Sequence, residues 1–239
     1  MNAKIVNIAL SIVLCAAVMQ SCSSDESEEP VGNNSSVTIN PDGSTSNGSQ
    51  FSRVDDTTFY IDFIKYKIVD AHLEIVGYDK TGLSYDLRPY ASVTYNGSTY
   101  QTREIADRAF NGSKIKSIIL PNGLQGIGTE AFYGCTNLIS VHLPEGLQEI
   151  GWSAFNSCTS LTDVHFPEGL QWIDWYAFKS CTRLTTIICN ASIPPYIYGT
   201  TFSYETYQDA ILYVPVKSID EYRRSNDWSY FKSIQAISE

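Results

Sequence analysis

Basic residues are scarce in this chain. Sixteen Lys and Arg stand against 26 Asp and Glu, giving a net charge of −10 and a pI near 4.7. That balance excludes a nucleic-acid footprint and a basic membrane-surface patch, since both need clustered positive charge. CxxC pairs are missing, which excludes the usual structural metal clusters. GxSxG, HExxH and a phosphate-cradling glycine loop are missing too. Asp and Glu pairs are scattered, and no cysteine has a histidine motif around it. No catalytic residue, metal or cofactor is therefore expected. Beyond residue 18 no run is long and apolar enough to cross a bilayer. What the chain has in quantity is aromatic rings: 16 Tyr, 10 Phe and four Trp, alongside 15 Gly and 9 Pro. This mixture favours strands and turns over a helical bundle. With 239 residues, 43% of them apolar, a core in one domain or two small ones is affordable.

The N-terminus reads as a targeting segment. Lys4 ends a short positive region, and residues 5–18, IVNIALSIVLCAAV, form an apolar stretch too short to span a bilayer comfortably. The MQSC run from Met19 to Cys22 resembles a bacterial lipoprotein cleavage box, which implies lipidation of Cys22. An ordinary secretory signal with an incidental cysteine fits the same pattern. Residues 1–21 are thus the expected signal peptide. Residues 22–50, rich in Ser, Asn, Gly and Asp, are the expected disordered tether, about 30 Å in root-mean-square reach. Its acidic run of Asp25, Glu26, Glu28 and Glu29 resembles the export signals of surface lipoproteins in some Gram-negative gut bacteria; a solvated linker would look the same.

The chain then repeats itself. Units begin at Ile105, Ile127, Ile150 and Ile173, and the second and third agree at 14 of 23 positions. The first is one residue shorter and lacks the Cys-Thr pair; the last loses its PEGL turn after Cys189. Ile150, Ala154, Phe155, Cys158, Leu161, Val164, Phe166 and Leu170 are the repeated apolar positions, and Ile127, Ala131, Phe132, Cys135, Leu138, Val141, Leu143 and Leu147 are their counterparts. LxxVxL alternates like a short strand, with Val141 and Leu143 inward and His142 outward. PEG then breaks the strand, and IGxxAFxxC supplies a turn or short helical piece. One such unit cannot bury its own apolar face, so units must stack as a solenoid. Cys135, Cys158 and Cys181 form one column. Neighbouring turns would set two of these α-carbons about 5 Å apart, within disulfide range. Stacked side chains point the same way, however, and three thiols cannot all pair, so buried free thiols in a structural core ladder are expected.

The pattern IGxxAFxxCxxLxxVxLPxGLxx resembles the BspA-like leucine-rich repeat family of bacterial cell-surface proteins, closely over residues 105–189. VTYNGSTYQTREIADRAF (93–110) is similar to the family's opening hairpin and LYVPVKSIDEYRRSNDWSYFKSI (212–234) to its ending. The resemblance implies a mainly β leucine-rich repeat solenoid with short helical turns, a surface or secreted location, and adhesion to host or bacterial partners. It brings no catalytic residues.

Residues 51–104 read as a β-hairpin N-terminal cap, with Asn96-Gly97 as a two-residue turn signal. Residues 105–192 are the expected repeats. Residues 193–239 form an expected small α/β C-terminal cap, in which Ser218 and Glu221 suggest a capping box and Trp228 and Phe231 fold back on the last repeat. Residues 51–239 would make one folded unit.

Function is expected where the repeats differ. Trp152, Trp172, Trp175 and Tyr176 occupy positions the core does not use. An exposed aromatic patch there would suit a protein partner or sugars, although the rings could instead pack on the C-terminal cap. The strand surface is a second candidate face: Ser140, His142, Asp163, His165, Thr186 and Ile188. A metal held by His142, His165 and Asp163 is conceivable, but duplication alone places two histidines in one column. The expectation is a lipid-anchored, surface-exposed binding protein of a bacterial outer membrane, touching the membrane through its lipid only. Its partner would be an extracellular or host protein; polysaccharide capture and an architectural role in the envelope are the alternatives.

Overall fold

The computed structural model describes residues 35–81 and 85–237. The expected signal peptide, Cys22 and the first part of the expected tether lie outside the described residues. Among those described, no helix is long and apolar enough to cross a membrane.

The first eight strands are β1 (Ser36–Thr38), β2 (Phe51–Arg53), β3 (Thr58–Ile61), β4 (Ile64–Val69), β5 (His72–Tyr78), β6 (Asp86–Leu87), β7 (Ser92–Tyr95) and β8 (Ser98–Ile105). β2 to β5 form an antiparallel meander, and β7 and β8 form a hairpin. Asn96 and Gly97 turn that hairpin with φ of 50° and 78°, as the Asn-Gly pair predicts. The structure corrects the far end of the expected tether. β1 lies parallel to β7, and Val37 and Ile39 are buried. Two apolar residues alternating with polar ones suffice for a strand once a neighbour offers its edge.

Beyond β8 the chain winds through β9 (Ser117–Ile119), β10 (Gly126–Ile127), β11 (Ser140–His142), β12 (Glu149–Ile150), β13 (Asp163–Phe166), β14 (Trp172–Ile173) and β15 (Thr186–Cys189). Then come α1 (Tyr204–Asp209), β16 (Ile211–Val214), α2 (Ile219–Arg224) and β17 (Ser233–Ala236). Along one face, β5, β8, β10, β12 and β14 pair in parallel with Ile75, Ile105, Ile127, Ile150 and Ile173 in register. A bridge from Trp172 to Tyr196 brings Ile197 next in line. Along a second face run two parallel sheets, β6-β9-β11 and β13-β15-β16-β17.

Between the faces stands a column of rings. Tyr78, Phe110, Phe132, Phe155, Phe178 and Phe202 stack face to face with centroids 5.0–5.8 Å apart. Each ring inside the column is covered by the one before and the one after, which is how the stacked units bury what a single unit cannot. The ladder therefore extends past both expected limits, to Ile75 before residue 105 and to Ile197 and Phe202 after residue 192. The hairpin inserted between Ile75 and Ile105, and the loss of PEGL after Cys189, hide these end turns from a search for a fixed period.

The turns between strands are hydrogen-bonded from unit to unit as well. Arg108, Glu130, Ser153 and Tyr176 all have φ of 53–62°. This left-handed kink turns the N–H groups toward the next unit: Glu130 N–H donates to Trp152 O at 2.8 Å, and Phe132 N–H to Ala154 O at 2.7 Å. The glycines after Ile127 and Ile150 sit at the closest of these approaches, whereas Ala106 and Asp174 follow Ile105 and Ile173. A Cβ on Gly151 would lie 2.9 Å from the Gly128 carbonyl carbon, well inside contact distance.

The C-terminal segment covers the last turn. Trp228 and Phe231 are buried, with Phe231 5.3 Å from Phe202 and the Trp228 indole N–H donating to Pro195 O at 2.8 Å. The capping box is corrected. Ser218 precedes α2 but makes no side-chain cap; its hydroxyl donates to Ser192 O at 2.8 Å. Tying the helix to the repeat array has taken the hydroxyl that the local pattern assigned to the helix end.

Candidate functional site

The four sequence-predicted rings come together on one surface. Trp172 projects from β14, opposite Glu149 on one side and Tyr196 on the other. Trp152 and Trp175 occupy the position before the left-handed residue in consecutive units. Their carbonyls accept from Glu130 and Ser153 of the preceding unit, which fixes the backbone under each ring. Tyr176 is itself the left-handed residue of its unit.

Ring contacts run without a break from Trp152 to Tyr176 (6.4 Å), Tyr176 to Trp175 (6.5 Å), Trp175 to Tyr198 (4.9 Å), Tyr198 to Trp172 (5.9 Å) and Trp172 to Tyr196 (5.6 Å). The Lys179 ammonium sits 4.6 Å from the Tyr176 ring centre, the geometry of a cation–π contact. Trp152 and Trp172 are 39% exposed, Trp175 46% and Tyr196 73%. The contacts among them are edge-on or tilted, so the strip is ordered by its own rings and still open to solvent. Both sequence alternatives hold in part: the rings do meet Tyr196 and Tyr198 of the C-terminal segment, and they remain exposed. Tyr196 and Tyr198 were not anticipated. Their one signal is Tyr196-Ile197, which repeats the Trp172-Ile173 doublet one turn on.

The second candidate face is less coherent. His165 Nε2 lies 3.8 Å from Asp163 Oδ1 on the same side of β13, too long for a hydrogen bond. Partial burial lowers the pKa of both His142 and His165; the charge of His165 lowers that of His142 further, against Glu145, and Asp163 opposes the shift at His165. Ile188, expected at this surface, is buried. It pairs with His165 on one side and Tyr213 on the other.

The cysteine column is interior. Cys135, Cys158 and Cys181 are free and fully buried, and each thiol donates to the carbonyl of the phenylalanine one unit back, Phe110, Phe132 and Phe155, at 3.1–3.2 Å. Burial pushes all three thiols up, Cys181 to about 12, so they are protonated at neutral pH and suited to donating rather than to nucleophilic attack. Each of these carbonyls also accepts a backbone N–H, from Ser113, Cys135 and Cys158 respectively, so the thiol is its second donor.

No curated protein shows recognisable similarity to the chain. Among solved structures, a leucine-rich repeat protein from Bacteroides capillosus is 26% identical, with a TM-score of 0.53 over 57% of this chain and 100% of that one. The Treponema pallidum leucine-rich repeat protein is 27% identical, with a TM-score of 0.54 over 65% of this chain and 69% of that one. A leucine-rich cell surface protein from Faecalibacterium prausnitzii shares the fold at 20% identity, with a TM-score of 0.51 over 79% of this chain and 56% of its own length. The model of the BspA-type leucine-rich repeat region matches six copies across residues 103–227, more than half of the 239 residues. With its stacked isoleucine, phenylalanine and cysteine columns, the chain belongs to the BspA-type leucine-rich repeat family.

Proposed function

We propose that the protein is a non-enzymatic receptor on the bacterial surface, anchored by a lipid at Cys22, that binds an extracellular protein partner through its aromatic strip. The observation that carries this reading is the unbroken run of six rings from Trp152 to Tyr196, built from positions that the repeat leaves free. Trp and Tyr supply large contact area with a polar handle and dominate the energetically important centres of protein interfaces. Leucine-rich repeat proteins of this kind suggest protein binding as the coarse role. The described cysteines are buried and held protonated, and the Asp163–His165 pair sits on an open strand face; neither arrangement favours catalysis.

The test is binding of the purified protein to a panel of extracellular-matrix proteins and polysaccharides by surface plasmon resonance. A Trp152→Ala/Trp175→Ala variant, matched to the parent by circular dichroism, runs beside it. Saturable binding to a protein, weakened at least ~30-fold in the variant, is the expected result. Retained affinity in the variant would move the site to the histidine face. Binding confined to polysaccharides would make the strip a glycan platform.

A further inference from the structure

We propose that His72, Glu74 and Glu104 form a divalent-cation site of zinc type, joining the N-terminal meander to the first turn of the solenoid. The three side chains place one donor atom each within 4.8 Å of one another. They come from two strands: His72 and Glu74 share one face of β5, and Glu104 lies directly opposite Glu74 on β8. A β-bulge creates that opposition. Between Leu73 and Glu74 the register shifts, with Leu73 paired to Thr102 but Glu74 to Glu104, so that Arg103 is the extra residue. Bulges re-aim side chains in this way and are over-represented beside functional sites.

Two features of the trio point to a ligand. Glu74 and Glu104 are paired in register, a like-charge contact that destabilises a ladder and that Lys67, opposite Glu74 on β4, offsets from the other side. The Nε2 atom of His72 is fully buried and has no hydrogen-bond partner among the described residues; the Glu74 carboxylate oxygen is 3.8 Å away. A buried, unpaired ring nitrogen is a cost that native structures rarely leave in place.

A cation between the three groups answers both. Nitrogen and oxygen donors about 2.1 Å from a tetrahedral zinc ion are roughly 3.4 Å apart, so the trio must close by up to about 1.4 Å, within reach of two glutamate side chains. One imidazole with two carboxylates suits zinc or a similar first-row ion better than calcium or magnesium, which take oxygen donors alone. Glu104 is exposed, which leaves the fourth position open to water on that side. Lys67 pairs with Glu74 across β4 and is the local competitor for its carboxylate. Glu104 is 30 residues from Glu74, outside any local metal motif, so only the bulged pairing of β5 with β8 reveals the group.

The test uses the full chain, stripped of metal and titrated with zinc chloride, read by equilibrium dialysis with elemental analysis and by thermal melting. One zinc per chain is expected, with Tm raised by about 5 °C or more at hundredfold excess over Kd. His72→Gln should weaken binding at least ~10-fold. Glu104→Gln should do the same; being exposed, it leaves the fold intact and carries the test if the His72 variant does not fold. His142→Gln/His165→Gln should keep the stoichiometry and affinity. The proposal is overturned if the parent binds no more zinc than a His72→Gln/Glu74→Gln/Glu104→Gln variant, or if binding disappears with the His142/His165 pair instead. These readouts do not involve the aromatic strip, so failure of one assignment leaves the other standing.

Discussion

The unit starting at Ile127 and the unit starting at Ile150 are neighbours with the same interior and opposite exteriors. Inside, Ala131 matches Ala154, Phe132 matches Phe155 and Cys135 matches Cys158, all fully buried. Outside, Thr129 gives way to Trp152, Glu130 to Ser153, and Glu149 to Trp172. On the N-terminal side the outward column reads Glu74, Glu104, Gly126, Glu149, with Arg108 paired to Glu130; on the C-terminal side it reads Trp172, Tyr196. The second face is interrupted at the same place, since one sheet ends at β11 and the next begins at β13. The contrast has a packing cause. An inward residue rests on its own copy in both directions, so any change must be accommodated twice. An outward residue answers only to solvent and to its ligand. The surface can thus turn from acidic to aromatic in one unit while the core does not register the step.

The strongest way to test that shared interior is to cut it. Phe155 is fully buried between Phe132 at 5.0 Å and Phe178 at 5.1 Å. Phe155→Ala should cost ~3–5 kcal/mol in urea unfolding, as large cavities in close-packed cores do. Both halves should lose stability in one transition. A loss below ~1 kcal/mol would mean the halves fold independently with slack between them.

Next in size is a pair of glycines that look alike in sequence. A Cβ on Gly151 would lie 2.9 Å from both the Gly128 carbonyl carbon and the Ile127 oxygen, whereas on Gly126 it would meet only the Glu104 Cγ at 3.8 Å. Gly151→Ala is expected to destabilise by ~1–3 kcal/mol through overpacking, and Gly126→Ala to be neutral or slightly stabilising. Equal effects in the two melts would refute the claim that the spacing of these two units is set at Gly128 and Gly151.

Much of this was legible in the sequence where the period is exact. The isoleucine, alanine, phenylalanine and cysteine columns over 105–189 stand in the letters, because each must pack on its own kind. Legibility failed where the spacing changed. Ile75 and Tyr78 sit behind an inserted hairpin, and Ile197 and Phe202 follow a segment without PEGL, so only the hydrogen bonds and the ring stack show them to be further turns. The aromatic strip was half legible. Trp152, Trp172, Trp175 and Tyr176 fall at free positions, but Tyr196 and Tyr198 complete the strip from a turn the period did not mark. The trio at His72 was not legible at all, because a bulge between distant strands made it.

A smaller effect sharpens the inside–outside distinction at the aromatic end. Trp175 is nearly half exposed, and its nearest ring contact is Tyr198 at 4.9 Å. Trp175→Ala should lower unfolding stability by ~1 kcal/mol or less, against the several expected for Phe155→Ala. A loss as large as that of Phe155→Ala would make the strip part of the core and remove it as a binding surface.

The smallest effect concerns the seam itself, which His142 on β11 and His165 on β13 flank. Both pKa values lie below the ordinary 6.5, chiefly because partial burial disfavours the charged ring, with His165 adding repulsion at His142. From about one pH unit above 6.5 upward both rings are neutral in the folded and the unfolded chain, and they contribute no pH dependence. As pH falls below 6.5 the unfolded chain takes up protons that the folded chain resists, so stability declines. The decline levels off once the pH passes below the lowered folded values. Asp42, Asp55 and Asp79 titrate in a separate window, since hydrogen bonds from Ser44, Thr57 and Thr81 hold them below 3.8 and their stabilisation is lost only in stronger acid. Urea melts from pH 7.5 to 4.5 should therefore show a shallow fall that begins near 6.5 and flattens in His142→Gln/His165→Gln. An unchanged slope in that variant would place the pH sensitivity elsewhere and leave the seam electrically silent.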